Sequence, residues 1–326
     1  MCGIVGFTGT RPAQGILIEG LSRLEYRGYD SAGVAIYQDG KLEVVHRKGK
    51  VSSLAHTLGH FDFEGACGIG HTRWATHGRP SEANAHPHTS RDGRIAVVHN
   101  GIIENFADLK AELLAKGATF TSETDSEVAA LLVGEAYRET GDLPEALRRV
   151  VNRLEGAFTL LVIHQDQPGV VVGARRNSPL VIGMGEGENF LGSDVAAFIS
   201  HTREARELGQ DQVVEIDRHR GLTVTDFAGQ EAEPAAYTVD WDAAAAEKGG
   251  YDWFMLKEIA EQPQAIADTL LGRLSERGDI VLDEVRLTDQ DLRDVDKVFI
   301  IACGTAYHAG MVAKYAVEHW TRIPVE

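Results

Sequence analysis

Between Ala157 and Thr225 the chain spells six short strand patterns in succession, with no helical period among them. They run Ala157 to His164, Val170 to Ala174, Leu180 to Gly183, Phe190 to Ser193, Gln212 to Ile216 and Leu222 to Thr225. Ahead of them lie three helical patterns. One starts at Phe106, one at Asp125, and Leu143, Leu147, Val150, Val151 and Leu154 give the cleanest helical period in the sequence. Thr124 with Glu127 supplies a capping-box pattern for the second of these. Strands come first again: Ile4 to Phe7, Ala32 to Tyr37 and Leu42 to His46 around an Asp39-Gly40 hairpin signal, Ala66 to Trp74, and Ile95 to Asn100. Short helices are expected from Pro12, with Leu17, Leu21 and Leu24 on one face, and over Val51 to Leu58. Strands, then helices, then strands, without regular βαβ alternation, predict a layered α+β sandwich rather than a doubly wound sheet. Between the fourth and fifth strands, Ala75 to Arg94 is rich in Gly, Pro, His, Asn and Ser and reads as a long, functional loop.

The composition changes after this block. Residues 1–227 form the sandwich, and residues 228–294 read as a linker with a helical segment. The linker opens on the small, acidic stretch Ala228 to Gly250; helical pattern resumes at Trp253 and runs, with a break near Pro263, to about Leu274. Residues 295–326 open a second unit, with a buried-looking strand Val298 to Ala302 and a helix carrying Val312, Tyr315, Ala316 and His319 on one face. One strand and one helix cannot close a core, so the expectation is a piece of a longer protein cut inside its second domain. Lys and Arg number 32 against 49 Asp and Glu, a net charge of −17 that disfavours nonspecific binding to nucleic acid or an anionic membrane. No apolar run approaches the ~20 residues of a membrane span, and no secretory leader pattern opens the chain. Cys2, Cys67 and Cys303 make neither a disulfide framework nor a zinc site, and the protein is expected to be cytoplasmic.

Chemistry concentrates in a few stretches. Removal of Met1 would leave Cys2 with a thiol and a free α-amine, a nucleophile with a built-in base; on those residues alone a buried, reduced cysteine is the commoner outcome. Leu24 to Gly33 (LEYRGYDSAG) is a turn bearing Arg27, Asp30 and Ser31, compatible with a simple Arg–Asp pair. His71 to Gly78 (HTRWATHG) carries Arg73 and Trp74 off a strand end, either a carboxylate fork beside a pocket wall or an arginine laid over a core tryptophan. In HNGIIEN, Asn100 and the Gly101 N–H could form a two-donor oxyanion hole, and Asn-Gly is equally a common turn. The acidic residues of SETDSE, Ser122 to Glu127, are accounted for by the helix dipole. The histidines 71, 77, 86, 88 and 99 lack matching carboxylate or cysteine spacing; no metal and no cofactor is expected, and they serve the hydrogen bonding of the loop.

Taken in order, CGIVG, LEYRGYDSAG, HTRWATHG with NAHPH, VVHNGIIEN and SETDSE resemble class II glutamine amidotransferases, specifically the branch that delivers ammonia to fructose 6-phosphate for amino-sugar biosynthesis. The resemblance extends through FMLKEIAEQP and IIACGTAYHAG. It implies a four-layer αββα sandwich of the N-terminal-nucleophile hydrolase type, followed by the first β-loop-α of a sugar isomerase (SIS) domain. It implies catalysis by Cys2 with Asn100 and Gly101 as oxyanion hole, and glutamine binding by Arg73, Trp74, Thr76, His77 and Asp125, with Arg27 beside the nucleophile. Cys303, Gly304 and Thr305 stand where the family's sugar-phosphate loop begins, while Ala306 replaces a frequent serine. The implied partners are glutamine and, in the full-length enzyme, fructose 6-phosphate. The family dimerises through the isomerase domains, so this piece is expected to be monomeric, with a glutaminase site but no capacity for the complete synthesis. Left open are a class II enzyme with another acceptor and an inactive binding module.

Overall fold

The computed structural model describes residues 2–239, 250–251, 253–270, 273 and 287–326. It divides into two compact units, 1–254 and 255–326. In the first, β1 (Gly3–Thr8) leads to α1 (Ala13–Arg23), the hairpin β2 (Ser31–Gln38) and β3 (Lys41–Lys48), α2 (Val51–Leu58) and β4 (Cys67–Arg73). Next come β5 (His88–Thr89), β6 (Ile95–Ile103) and three helices, α3 (Phe106–Ala115), α4 (Asp125–Thr140) and α5 (Leu143–Val151). The strand-rich half follows with β7 (Gly156–His164), β8 (Val170–Arg176), β9 (Val181–Gly185), β10 (Glu188–Gly192), β11 (Glu204–Glu207), β12 (Gln212–Asp217), β13 (Gly221–Asp226) and β14 (Ala235–Thr238).

These strands make two antiparallel sheets. The first has the order β14-β11-β9-β10-β1-β4-β2-β3 and the second β13-β12-β8-β7-β6-β5. Side chains alternate across each strand, and that period of two builds three apolar layers. On β1, Val5 and Phe7 face α1 and α2, while Ile4 joins the layer between the sheets. On β6, Ala96 and Val98 point to that middle layer, while Ile95 and Val97 pack with α3, α4 and α5. The result is the expected αββα stack, a central sheet–sheet core with helices on each outer face. Gly68 and Gly70 on β4 let α1 sit close: a Cβ at either position would stand 3.0 Å from Leu17 or Leu21. The β2–β3 turn is an Asp39-Gly40 pair with both φ angles positive, 50° and 82°, as a tight hairpin of this twist needs.

Several details depart from the sequence expectation. β5, β11 and β14 are strands that patterning did not show, and β14 lies inside the stretch read as linker, where it adds an edge to β11. The capping box of α4 is half-formed. Thr124 Oγ1 accepts the Glu127 N–H, but the Glu127 carboxylate turns to the N–H and hydroxyl groups of Thr121 and Ser122. The N–H of Thr124 is taken by Ser122 Oγ at 3.3 Å, which leaves that carboxylate free to order the preceding loop.

In the second unit, α6 (Phe254–Leu270) continues through Pro263 without the expected break, and the expected helix end at Leu274 lies outside the described residues. α7 (Asp289–Arg293) carries a reciprocal Thr288–Asp291 capping box. The expected strand at Val298 to Ala302 is a single bridge from Val298 to Val325, and Ile301 is 96% exposed. A strand needs a neighbour to hold its backbone groups, and among the described residues only that one bridge forms. α8 (Gly304–Thr321) has no buried residue, so its apolar face is likewise uncovered. No helix among the described residues is long and apolar enough to cross a membrane.

The long loop 75–94 is pinned by buried imidazoles. His71 and His86 stack at 4.0 Å, His86 meets His88 edge-on at 4.8 Å, and His86 Nδ1 accepts the His99 N–H at 3.1 Å. His88 Nε2 lies 3.0 Å from Thr124 Oγ1 at the start of α4. Burial, reinforced by the neighbouring imidazoles and Arg73, pushes His71 down to about 3 and His86 well below its ordinary value; burial likewise takes His88 to about 4. Below the ordinary 6.5 the unfolded chain therefore binds protons that the folded chain refuses. Stability is complete above that pH and is lost as the pH falls toward 4, at up to about 1.4 kcal/mol per pH unit for each such histidine. Urea midpoints should fall between pH 7 and 5 in the intact protein, and His88→Gln should reduce the slope; a flat profile over that range would contradict the assignment.

Candidate active site

The site forms where the two sheets end side by side. β1 pairs with β4 in a register that sets Gly3 opposite Thr72, which carries Cys2 to the end of β4. Gly3 has to be glycine here, since a Cβ would stand 2.7 Å from Leu24 and 2.8 Å from Thr72. The Trp74 N–H donates to Cys2 Sγ at 3.2 Å, and the thiol lies 3.4 Å from the Trp74 carbonyl. Two side chains hold the backbone of Cys2, one from the turn between α1 and β2 and one from β6. Arg27 Nε donates to its carbonyl at 3.1 Å and Asn100 Nδ2 donates to the same oxygen at 3.0 Å. Arg27 is buried, reaches Ser193 O at 3.4 Å and pairs with Asp194 at 3.6 Å. Burial pushes the Cys2 thiol above its ordinary range, opposed by the Trp74 N–H and by the charge of Arg73. Left to itself this thiol stays protonated near neutrality, and attack requires a base.

Asn100 and Gly101 lie within β6, paired with Thr159 and Phe158 of β7. Gly101 has φ +124°, and a Cβ would stand 2.0 Å from the Ala157 carbonyl, so the chain can make this turn only with glycine. Arg73 is buried, with Nη2 donating to the His77 and Gly78 carbonyls; its Nη1 is 3.9 Å from Asp30 and has no hydrogen-bond partner. Asp125, at the first turn of α4, is also buried. It accepts the Ile103 N–H at 2.9 Å and the Ser126 hydroxyl at 3.2 Å, more than the helix dipole alone would explain. Cys2, Arg73, Trp74, Thr76, His77, Gly101 and Asp125 line one narrow cavity of about 20 Å³ together with His86, His99, Thr124 and Ser126. The cavity opens to solvent on one side. Trp74 is half exposed and meets Tyr29 edge-on at 5.8 Å.

The structure thus gathers the expected glutamine-binding positions, with Asn100 just behind the cavity under the Cys2 carbonyl. Cys303, Gly304 and Thr305 lie in the second unit, exposed at the start of α8, where Gly304 adopts φ +62°. Two residues that the sequence reading named without a role in the site belong to it. Asp30 accepts the Ala75 N–H and the Ser31 hydroxyl, fixing the chain just past Trp74. His71 bridges from β4 to β6, with Nε2 3.1 Å from Asn100 Oδ1 and 3.0 Å from the His99 carbonyl. The only sequence signal for either was position inside a chemically dense stretch.

A family profile described as a glutamine amidotransferase domain matches residues 56–227, just over half of the chain. The whole chain aligns at 62% identity with glutamine–fructose-6-phosphate aminotransferase (isomerizing) of Streptomyces coelicolor, and at 58% with that of Mycolicibacterium smegmatis. It covers 53% and 54% of those proteins, and so spans about half the length of the curated relatives it matches. Among solved structures it superposes on the glutamine phosphoribosylpyrophosphate amidotransferase of B. subtilis with a TM-score of 0.61 at 22% identity, covering all of this chain and 65% of that one. An allosteric regulatory enzyme of purine biosynthesis gives 0.62 at 21%, over all of this chain and 64% of that one. At such identity the likeness shows a common fold. With its αββα layers and its profile match, the chain belongs to the class II glutamine amidotransferase family.

Proposed function

We propose that this chain is a glutaminase acting in the cytoplasm, the ammonia-producing half of an enzyme that aminates fructose 6-phosphate to glucosamine 6-phosphate. The observation that carries the reading is one cavity in which the Cys2 thiol meets a buried cation, Arg73, a buried carboxylate, Asp125, and the Gly101 backbone. That charge pair matches the two ends of an amino-acid head group and gives a physical reason for glutamine over a simple amide. The acceptor is inferred from the relatives named for fructose 6-phosphate and from the Cys303-Gly304-Thr305 turn at a helix start, where a phosphate is favoured.

In this mechanism Met1 is first removed, which frees the α-amine of Cys2. The amine, through a water, takes the thiol proton, and Sγ attacks the side-chain carbonyl carbon of glutamine. The carbonyl oxygen becomes an oxyanion that the Gly101 N–H and Asn100 Nδ2 stabilise. Asn100 gives one N–H to the Cys2 carbonyl and keeps the second for that oxyanion. The α-ammonium returns its proton to the leaving nitrogen, the C–N bond breaks and ammonia departs, leaving a γ-glutamyl thioester. Water then adds to the thioester carbonyl, and the C–S bond breaks to release glutamate and the thiol. Trp74, half exposed beside Cys2, is the residue we assign to ammonia release, by its resemblance to the family's tryptophan at that position.

Cys2→Ala should abolish glutamate release in an enzyme-coupled assay while leaving the unfolding midpoint within error; normal turnover would remove Cys2 from the mechanism. An N-terminal extension that resists processing should be as inactive as Cys2→Ala, because it consumes the α-amine, and undiminished turnover would exclude the amine as base. Asp125→Asn keeps an oxygen for the Ile103 N–H but loses the charge. Its kcat/KM for glutamine should fall about 10- to 100-fold, the worth of a hydrogen bond to a charged group. Its kcat/KM for the analogue lacking the α-amine should change far less, and an equal loss for both would assign Asp125 a purely structural part.

A further inference from the structure

His71 has the geometry of a positioning residue for the oxyanion hole. Its Nε2 lies 3.0 Å from the His99 backbone carbonyl, an oxygen that can only accept, so Nε2 carries the proton. The same N–H reaches the Asn100 side chain at 3.1 Å, and the atom it meets there has to be Oδ1. On the opposite side of that amide sits the Cys2 carbonyl, a second obligate acceptor, 3.0 Å from Nδ2. A flipped Asn100 would set its NH₂ against the His71 N–H and its oxygen against the Cys2 oxygen, two repulsive contacts in a buried space. The imidazole is itself immobilised. It is wholly buried on β4 and stacked on His86 at 4.0 Å with ring planes 19° apart. Its Nδ1 finds no partner among the described residues, so a proton there would be a buried, unpaired donor. Burial accordingly holds His71 neutral down to a pH of about 3.

We propose that His71, a β4 residue that does not line the cavity, fixes the Asn100 amide with its NH₂ toward Cys2, and so sets the orientation of one oxyanion donor without touching substrate. This rests on the glutaminase reading above, and it adds that the second sheet's donor is aligned by a side chain from the first sheet. The role requires a donor at the Nε2 position and nothing else of the imidazole. Glutamine can place an amide N–H near that position; leucine cannot donate; asparagine ends near Nδ1 and leaves the Nε2 position empty.

The test is a set of variants in the full chain. His71→Leu should lower kcat for glutamine about 10- to 100-fold with KM changed less than about threefold, the signature of a contact worth having only in the transition state. His71→Gln should recover most of that loss. In an Asn100→Ala background, His71→Leu should cost less than about twofold further, because the residue it acts through is gone. Should the leucine variant fold poorly, His71→Asn tests the same point with a polar side chain and is expected to show the same kcat loss. Independently of turnover, the Asn100 side-chain amide resonances of the substrate-free protein should shift in His71→Leu and stay near their original positions in His71→Gln. Full kcat in His71→Leu, an undiminished penalty in the Asn100→Ala background, or unmoved Asn100 resonances would each overturn the inference. If the unaltered protein released no glutamate, the glutaminase reading would fail, and the resonance arm would still decide the placement of Asn100.

Discussion

The backbone carbonyl of Cys2 accepts two hydrogen bonds from side chains that come from different parts of the fold, Arg27 beside the first sheet and Asn100 within β6 of the second. Around that oxygen the site is assembled. It fixes the plane of the Cys2 peptide, and so the direction of Sγ toward the Trp74 N–H. The same contact ties β6 to the residue that precedes β1, and Gly101 lies in the cavity that holds the thiol. Two layers that pack face to face would otherwise slide on an apolar surface that lacks directionality. Polar contacts at one end of the sandwich supply the register that the core does not.

A second polar belt does for the loop what the Cys2 carbonyl does for the sheets. His86, His88 and His99 link loop 75–94 to β6 and to the first turn of α4, and Glu127 gathers the preceding loop through Thr121 and Ser122. These groups are buried and hydrogen-bonded, which is costly unless each is satisfied and specific when it is. Arg73 hangs from this belt, its guanidinium held by carbonyls of residues 77 and 78, so the residue that would read a carboxylate also senses the loop that covers it.

How far the sequence revealed this differs from element to element. A layered α+β sandwich was legible from the order of the elements, and the 3.6 period of α5 reports its buried face, but the αββα stacking came from the family resemblance, because β1, β6 and β7 are apolar runs buried largely on both faces. β5, β11 and β14 escaped because strands as short and polar as Glu204–Glu207 or Ala235–Thr238 carry no alternation; a neighbour's free edge makes them strands. Val298 to Ala302 reads as a strand by composition, yet composition cannot supply the partner that hydrogen bonding demands. At the site, Cys2, Arg73, Asn100, Gly101 and Asp125 stood out through family resemblance, not through spacing, since they lie on four elements far apart in the chain. His71 and Asp30 act by contact across the sheets and turns, and no periodicity reports a contact of that kind.

The proposed chemistry requires Cys2, exposed as the first residue after removal of Met1, to be the nucleophile for a glutamine side chain. Intact-mass analysis followed by peptide mapping after exposure to an electrophilic glutamine analogue tests it most directly. The expected result is a chain lacking Met1, with a single adduct on Cys2 that excess glutamine prevents. An adduct on Cys67 or Cys303, or labelling of Cys2 with Met1 still attached, would contradict it.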